Sequence, residues 1–144
     1  MRYLLLLFLT IMACRPSNKI GELVGVSNER SIENTYWVLT EINGTPLIIN
    51  DARKPFIELN AETKSISGFC GCNLLSGGYQ ITGNKINFTS AVTRMFCQET
   101  MEIETNFLQA LAVANTFEIK EQDLLLKNEN KVVLKFHAES AVEK

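Results

Sequence analysis

A single segment, residues 65–97, holds three of the four cysteines of the chain and five of its eight glycines. Glycine in a tight turn lets the backbone adopt positive φ or approach another segment closely, and we interpret Gly77-Gly78 as such a turn. Two cysteines that flank a turn can lock it by a disulfide bond, but only in an oxidising compartment. What this segment can fold into therefore depends on where the protein resides.

The N-terminal sequence has the pattern of a secretory signal. Arg2 supplies a positive charge, and residues 4–12 form an apolar run that only Thr10 interrupts. This run is too short for a membrane span, which needs about 20 residues, and it has the length of the apolar region of a signal peptide. The sequence therefore predicts that residues 1–13 are a signal peptide.

The residues around the predicted cleavage point, Ile11-Met12-Ala13-Cys14, resemble a bacterial lipobox. In that motif the cysteine after the cleavage point receives acyl chains such as palmitate, and each buried CH₂ contributes about 0.8 kcal/mol to membrane binding. The resemblance implies that Cys14 is lipidated and that this lipid is the contact with the membrane. An ordinary cleaved signal and an uncleaved anchor are the alternatives. Arg15 is not the aspartate that retains lipoproteins in the inner membrane. We therefore expect the protein to reside in the bacterial cell envelope, at the outer membrane, on either its periplasmic or its surface face.

Composition excludes one class of partner. The chain carries a net charge of −2, and loss of residues 1–13 removes only Arg2 among the charged residues, so the mature chain would carry −3. A mildly acidic chain without a basic cluster is not expected to bind nucleic acid.

Residues 14–34 are mainly polar, and we interpret them as a lipidated cysteine followed by a flexible tether. After them the sequence has mainly the pattern of short strands. Residues 36–42 alternate apolar and polar side chains and end in Asn43-Gly44, a strong hairpin signal. Further strands are predicted at residues 56–59, 65–68, 79–81, 85–88, 116–119, 124–126 and 132–136.

One segment has a helical period instead. In about residues 99–114 the apolar side chains share one helical face, at Phe107, Leu108, Leu111 and Ala114. The sequence therefore predicts an α+β, mostly β, protein: a small antiparallel β-barrel-like sheet with one amphipathic helix. We assign residues 35–138 to this domain and residues 139–144 to a disordered tail.

Four motifs follow one another in this domain: Gly71-Cys72-Asn73, Gly77-Gly78-Tyr79, Thr93 with Cys97, and Glu104 with Phe107, Leu108 and Leu111. Together they resemble the META domain family, which includes HslJ-like envelope lipoproteins. The resemblance implies a small barrel-like β domain with one helix packed on it, and an envelope role that some members have in heat shock or antibiotic tolerance. No catalytic residues are established for that family, so we predict no enzyme activity and no cofactor.

The cysteines admit several interpretations. The resemblance gives Cys72 and Cys97 family positions and favours a disulfide between them, which would close a loop of about 25 residues and stabilise the fold by about 3 kcal/mol. Cys70 departs from the family pattern and is an alternative partner for Cys97, because spacing alone does not fix connectivity. The same three cysteines suggest thiol–disulfide exchange, which needs a lowered thiol pKa, or a zinc set completed by His137. We predict neither catalysis nor a metal site.

Asn73 and Tyr79 are the candidates for a binding surface. An asparagine in a glycine-rich turn more often caps the turn than binds a ligand. Exposed aromatic residues favour interfaces, and Tyr79, Trp37 and Phe69 would form the rim of such a surface.

The predicted function is that of a non-enzymatic, lipid-anchored envelope protein that binds an envelope protein or a small ligand, or acts in a stress response. The alternative is a thiol–disulfide redox protein or a cysteine-based metal-binding protein that uses Cys70, Cys72 and Cys97.

Overall fold

The computed structural model describes residues 30–48 and 53–139. Cys14, the predicted signal peptide, most of the predicted tether and residues 140–144 of the predicted tail lie outside the described residues. Within the described ranges there is one helix, α1, and it is neither long nor apolar enough to cross a membrane. The elements in chain order are β1 (Tyr36–Ile42), β2 (Thr45–Pro46), β3 (Phe56–Asn60), β4 (Ser65–Phe69), β5 (Leu74–Thr82), β6 (Lys85–Val92), α1 (Met101–Val113), β7 (Thr116–Lys120), β8 (Asp123–Asn128) and β9 (Lys131–Glu139).

The nine strands of this part of the chain form one antiparallel sheet that closes into a ring. Neighbouring strands follow the order β2-β1-β3-β4-β5-β6-β7-β8-β9, and β9 also pairs with β1. In this closing pair Tyr36 lies opposite Glu139 and Ile42 lies opposite Leu134. The prediction of a mostly β, antiparallel, barrel-like fold with one helix is confirmed.

Alternate residues of the strands fill the interior of the ring. In β3, for example, Ile57 and Leu59 are buried while Glu58 is exposed. Successive side chains of a strand point to opposite faces, which explains this period of two. The core also contains Trp37 and Phe136, both fully buried.

Helix α1 packs on this core through the predicted apolar face. Phe107 and Leu111 are buried, and the Phe107 ring meets the Phe136 ring edge-on at a centroid distance of 6.2 Å. The helix is slightly shorter than predicted at both ends. In the turn that directly precedes the helix, the N–H groups of Thr100 and Met101 both bond the carbonyl of Cys97.

Gly77 and Gly78 lie in the middle of strand β5, and their assignment to a turn was wrong. Gly77 pairs with Ser90 of β6, and a Cβ atom on Gly77 would lie 2.0 Å from the carbonyl oxygen of Thr89. The two strands therefore approach more closely at Gly77 than any residue with a side chain would permit. Glycine in the interior of a strand often marks such a close approach of two backbones. Glycine marks turns and close strand contacts alike, so the sequence did not separate them.

The folded domain begins before Thr35, within the stretch that the sequence analysis assigned to the tether. Ile32 is 6% exposed, and its carbonyl accepts a hydrogen bond of 2.9 Å from the indole Nε1–H of Trp37. The N–H of Asn34 bonds the carbonyl of Leu59 at 2.7 Å. Residues 31–34, which we call the N-terminal segment, are thus part of the domain.

Because of the close contact at Gly77, a methyl group added there should destabilise the protein far more than one added at the neighbouring Gly78. Gly77→Ala should lower the free energy of unfolding by about 2–3 kcal/mol, because the β5–β6 pair must separate to admit the Cβ atom. The matched control is Gly78→Ala, where the nearest atom, the carbonyl oxygen of Lys64, is 3.6 Å away. That change should alter the free energy by less than about 1 kcal/mol. Urea unfolding followed by fluorescence of the buried Trp37 measures both, and equal losses for the two variants would contradict the prediction.

Candidate functional site

The β4–β5 turn and the segment between β6 and α1 meet at one end of the sheet. A disulfide joins Cys72 of the turn to Cys97 of the segment, with the two Cα atoms 5.8 Å apart. This is one of the two pairings that the sequence left open, and Cys70 is a free thiol. We call this region, residues 70–74 with residues 93–104, the disulfide end.

Asn73 is buried at the centre of the disulfide end and has a partner for each hydrogen-bonding position of its side chain. Its Nδ2 donates to Glu104 Oε1 at 2.9 Å and to the carbonyl of Met95 at 3.1 Å. Its Oδ1 accepts from the N–H of Met95 at 2.7 Å and from Oγ1 of Thr93 at 2.8 Å. An amide side chain has two donors and two acceptor positions, so this amide is fully satisfied.

Glu104 of helix α1 holds the backbone of the same turn. Its Oε2 accepts a hydrogen bond of 2.8 Å from the N–H of Asn73, while Oε1 accepts from the side chain. Hydrogen bonds to a carboxylate are stronger than those between neutral groups. The carboxylate therefore ties the helix to the turn in a bidentate manner.

Cys70 is fully buried beside this network. Burial raises the pKa of its thiol to about 12, and the negative charge of Glu104 adds to that effect. The nucleophile in disulfide exchange is the thiolate, and a thiol becomes reactive where its pKa is lowered. The environment of Cys70 acts in the opposite direction.

The segment before Cys97 exposes large apolar side chains. Phe96 is 79% exposed, Met95 is 64% exposed, and Leu74 at the start of β5 is 51% exposed. We call these three residues the apolar tip. The backbone of the tip is fixed by the Asn73 amide and by the hydrogen bond of 3.2 Å from the N–H of Thr93 to the carbonyl of Leu74. Sequence reasoning missed this feature, and its only signal was the pair Met95-Phe96 between the predicted strand and helix.

Tyr79 lies at the opposite end of the sheet and fastens the N-terminal segment. Its hydroxyl lies 2.5 Å from Oε1 of Glu33 and 3.0 Å from the carbonyl of Asn60, and Nζ of Lys64 lies 2.8 Å from the same Glu33 oxygen. The hydrogen bond from Lys64, and then that from Tyr79, lowers the pKa of Glu33. Burial, followed by the hydrogen bond to Glu33, raises the pKa of Tyr79.

The residues predicted to form a binding surface are therefore interior residues. Asn73 is 2% exposed and Tyr79 is 4% exposed, and they lie at opposite ends of the sheet. Trp37 is fully buried and Phe69 is 8% exposed, so the aromatic residues do not form an exposed rim. The apolar tip is the exposed apolar surface that neighbours Asn73.

His137 does not join the cysteines. It lies on β9, where its Nδ1 is 2.8 Å from Oδ1 of Asp123, and this hydrogen bond, more than that from Lys135, lowers the pKa of Asp123. Across residues 30–48 and 53–139 there is no group of three or more His, Cys, Asp or Glu side chains that could hold a metal ion.

A shallow groove lies between the β1–β2 hairpin and the start of helix α1. It has a volume of about 330 Å³, and its lining includes Leu47, Ile103, Glu102 and Asn106. Ligand sites of proteins begin near this volume. Among the described residues, the groove is one place with room for a small ligand.

The sequence profile of the META domain family matches residues 30–141. The chain belongs to the META domain family. The resemblance inferred from the spaced motifs is thereby confirmed, and the match begins, as the folded META domain does, before Thr35. No curated protein matches the chain.

Solved structures share the fold of this META domain. The chain is similar to a protein from Burkholderia xenovorans solved by NMR, at 27% identity and a TM-score of 0.59, over 76% of this chain and 84% of that one. A second NMR structure matches at 25% identity and a TM-score of 0.59, over 73% of this chain and 89% of that one. A DUF4847 family protein from Bacteroides vulgatus ATCC 8482, solved by crystallography, shares the fold at 16% identity and a TM-score of 0.59, over 78% of this chain and 96% of that one.

Because Glu104 bonds Asn73 through both carboxylate oxygens, replacing one of these oxygens by an amide nitrogen should lower stability strongly. Glu104→Gln should lower the free energy of unfolding by about 2–3 kcal/mol, because the glutamine amide turns one acceptor into a donor that faces the donors of Asn73. Glu102→Gln is the matched control, since Glu102 is exposed on the same helix, and it should change the free energy by no more than about 0.5 kcal/mol. Urea unfolding compares the variants. Similar values for both would mean that Glu104 does not hold the META domain together in this way.

Proposed function

We propose that this chain is a lipid-anchored protein of the bacterial cell envelope whose META domain binds another envelope component and does not catalyse a reaction. The observation that carries the proposal is the apolar tip, which exposes Met95 and Phe96 on a backbone fixed by a disulfide and a satisfied polar network. An outer-membrane location and a role in envelope stress belong to the same proposal, and they are supported by the sequence after Cys14 and by the family resemblance.

Energetics favour binding as the role of the tip. Burying a Phe or Met side chain stabilises a complex by about 1.5–3 kcal/mol relative to leaving it in water. A flexible loop that exposed such residues would gain by folding them back onto the protein. The Asn73 amide and the disulfide prevent that movement, so the stabilisation becomes available only to a partner.

Anchoring is supported by the first fourteen residues. They combine Arg2, the short apolar run and Ala13-Cys14 in the order of a lipoprotein signal. A disulfide between Cys72 and Cys97 is compatible with the oxidising compartment to which such a signal leads.

The thiol–disulfide alternative has less support. It requires a reactive thiol, whereas burial and the charge of Glu104 raise the pKa of Cys70. The metal-binding alternative requires that His137 approach the cysteines, but His137 pairs with Asp123.

The lipid anchor predicts the behaviour of a Cys14→Ala variant. Expressed with its signal in a bacterium, this variant should move from the detergent-rich to the aqueous phase, because it cannot receive acyl chains. Mass spectrometry should show the loss of the acyl mass. The matched control is Cys70→Ala, which removes a cysteine but leaves the lipobox intact. The anchor would be excluded if the Cys14→Ala variant stayed in the detergent-rich phase and the parent chain showed no acyl mass that the variant lacks.

The environment of Cys70 predicts slow reaction with thiol reagents. In a Cys14→Ala chain, Cys70 is the thiol that remains beside the disulfide. A pKa of about 12 in place of 9.0 lowers the thiolate fraction near neutral pH by about 1,000-fold, and burial slows access further. Ellman's reagent should therefore react slowly with the native protein, and should detect one thiol per chain after denaturation. Two rapidly reacting thiols in the native protein would instead support the redox alternative.

A further inference from the structure

We propose that the apolar tip inserts into the lipid–water interface of the bilayer that holds the acylated Cys14. The chain would then have two membrane contacts, one covalent through the lipid and one through Leu74, Met95 and Phe96. This inference rests on the proposed function, because it requires the lipid anchor to bring the domain to the membrane.

The tip and the N-terminal segment lie at opposite ends of the sheet. Strand β4 pairs with β3 from Asn60 opposite Ser65 to Phe56 opposite Phe69. The N-terminal segment joins the sheet beside Asn60, at Leu59, whereas Leu74 of the tip pairs with Phe69. The tip is therefore a separate point of contact, and an anchor close to the N-terminal segment would not by itself bring the tip to a membrane.

The chain that precedes the domain is long enough to permit this contact. Residues 15–29, between Cys14 and the described part of the domain, can span at most about 50 Å. Strand β4, which connects the end near the N-terminal segment to the end near the tip, has 5 residues and is about 17 Å long. The anchor can therefore lie in the same bilayer surface that the tip contacts.

The chemistry of the tip fits an interface between water and lipid. Phe96 and Met95 provide apolar groups, and the exposed Arg94 directly precedes them in the chain. Aromatic side chains are enriched at membrane interfaces, and an arginine near them can extend its charge towards lipid phosphates while its methylene groups stay with the acyl chains. Because the backbone of this loop is already fixed, entering such an interface costs little backbone conformational entropy.

A second copy of this chain fits the tip less well. Three partly exposed side chains present only a few hundred Å², whereas a stable protein interface covers about 800 Å² on each partner. Symmetric pairing would also bring together the exposed carboxylates of Glu99 and Glu102, which follow the tip in the chain. A bilayer needs no matching pocket, and the acyl anchor supplies a high local concentration, so a small apolar contact is sufficient.

The same carboxylates set the expected lipid preference. Glu99 and Glu102 offset the charge of Arg94, so an anionic bilayer is not expected to attract the tip. Insertion should depend on the apolar side chains, and it should be as strong with zwitterionic phosphatidylcholine as with added phosphatidylglycerol.

The test uses the full acylated chain, reconstituted in phosphatidylcholine vesicles, with tryptophan placed either in the tip or at the last residue of helix α1. Phe96→Trp reports on the tip. Val113→Trp is the matched control, because Val113 is also exposed, at 48%, but is the last residue of helix α1, whereas the tip lies beside the start of that helix. Trp37 is fully buried, and its signal is subtracted by using the parent chain. Brominated phosphatidylcholine, which quenches tryptophan within the acyl region, then replaces part of the lipid.

The expected result is a blue shift and about twofold quenching of the added emission for Phe96→Trp, the behaviour of an indole at the acyl boundary, with neither change for Val113→Trp. Absence of quenching for Phe96→Trp in protein that floats with the vesicles would overturn this inference but leave the proposed anchor intact. Equal quenching at both positions would also overturn it. A blue shift that depends on protein concentration and not on lipid would indicate a second copy as the partner. Failure of the acylated chain to float would refute the proposed function together with this inference.

Discussion

The side chain of Asn73 connects three parts of the chain that the sheet alone does not hold together. It bonds the segment before Cys97 through Met95 and Thr93, and it bonds helix α1 through Glu104. Fixing the backbone of residues 93–97 costs about 5–10 kcal/mol in conformational entropy. Hydrogen bonds of about 1 kcal/mol each, stronger bonds to the carboxylate, and a disulfide worth about 3 kcal/mol are together large enough to offset that cost. The exposed position of the apolar tip therefore depends on this one buried amide.

A second carboxylate, Glu33, organises the opposite end by different means. Its ion pair with Lys64 is exposed on the lysine side, and such pairs contribute little to stability. The hydroxyl of Tyr79 belongs to a buried ring, so its bond to Glu33 also satisfies a polar group that would otherwise be costly to bury. Each end of the ring thus holds a non-strand segment through a carboxylate, and the attachment of the N-terminal segment is separated from the apolar tip.

Local patterns allowed the fold to be predicted, whereas tertiary contacts decided the site. The alternation of residues 36–42 and the helical stripe at Phe107 are set by neighbours along the chain, and the sequence displays them directly. The partners Asn73 and Glu104 are 31 residues apart, and Tyr79 is 46 residues from Glu33, so no local pattern reveals them. Apolar residues outside a periodic element are assigned to a core by default, which is why the exposed tip escaped the sequence analysis.

Burial, to which the charge of Glu104 adds, explains how a free thiol can persist next to a disulfide. Exchange of Cys70 into the Cys72–Cys97 bond would need the Cys70 thiolate, because the thiolate is the attacking species. With a pKa of about 12, only about one Cys70 in 100,000 is ionised at pH 7, since each pH unit below the pKa lowers the ionised fraction tenfold. The charge that raises this pKa further is the same carboxylate that bonds Asn73. Glu104 therefore contributes both to the ordering of the turn and to the protection of the disulfide pairing, and its loss would weaken both.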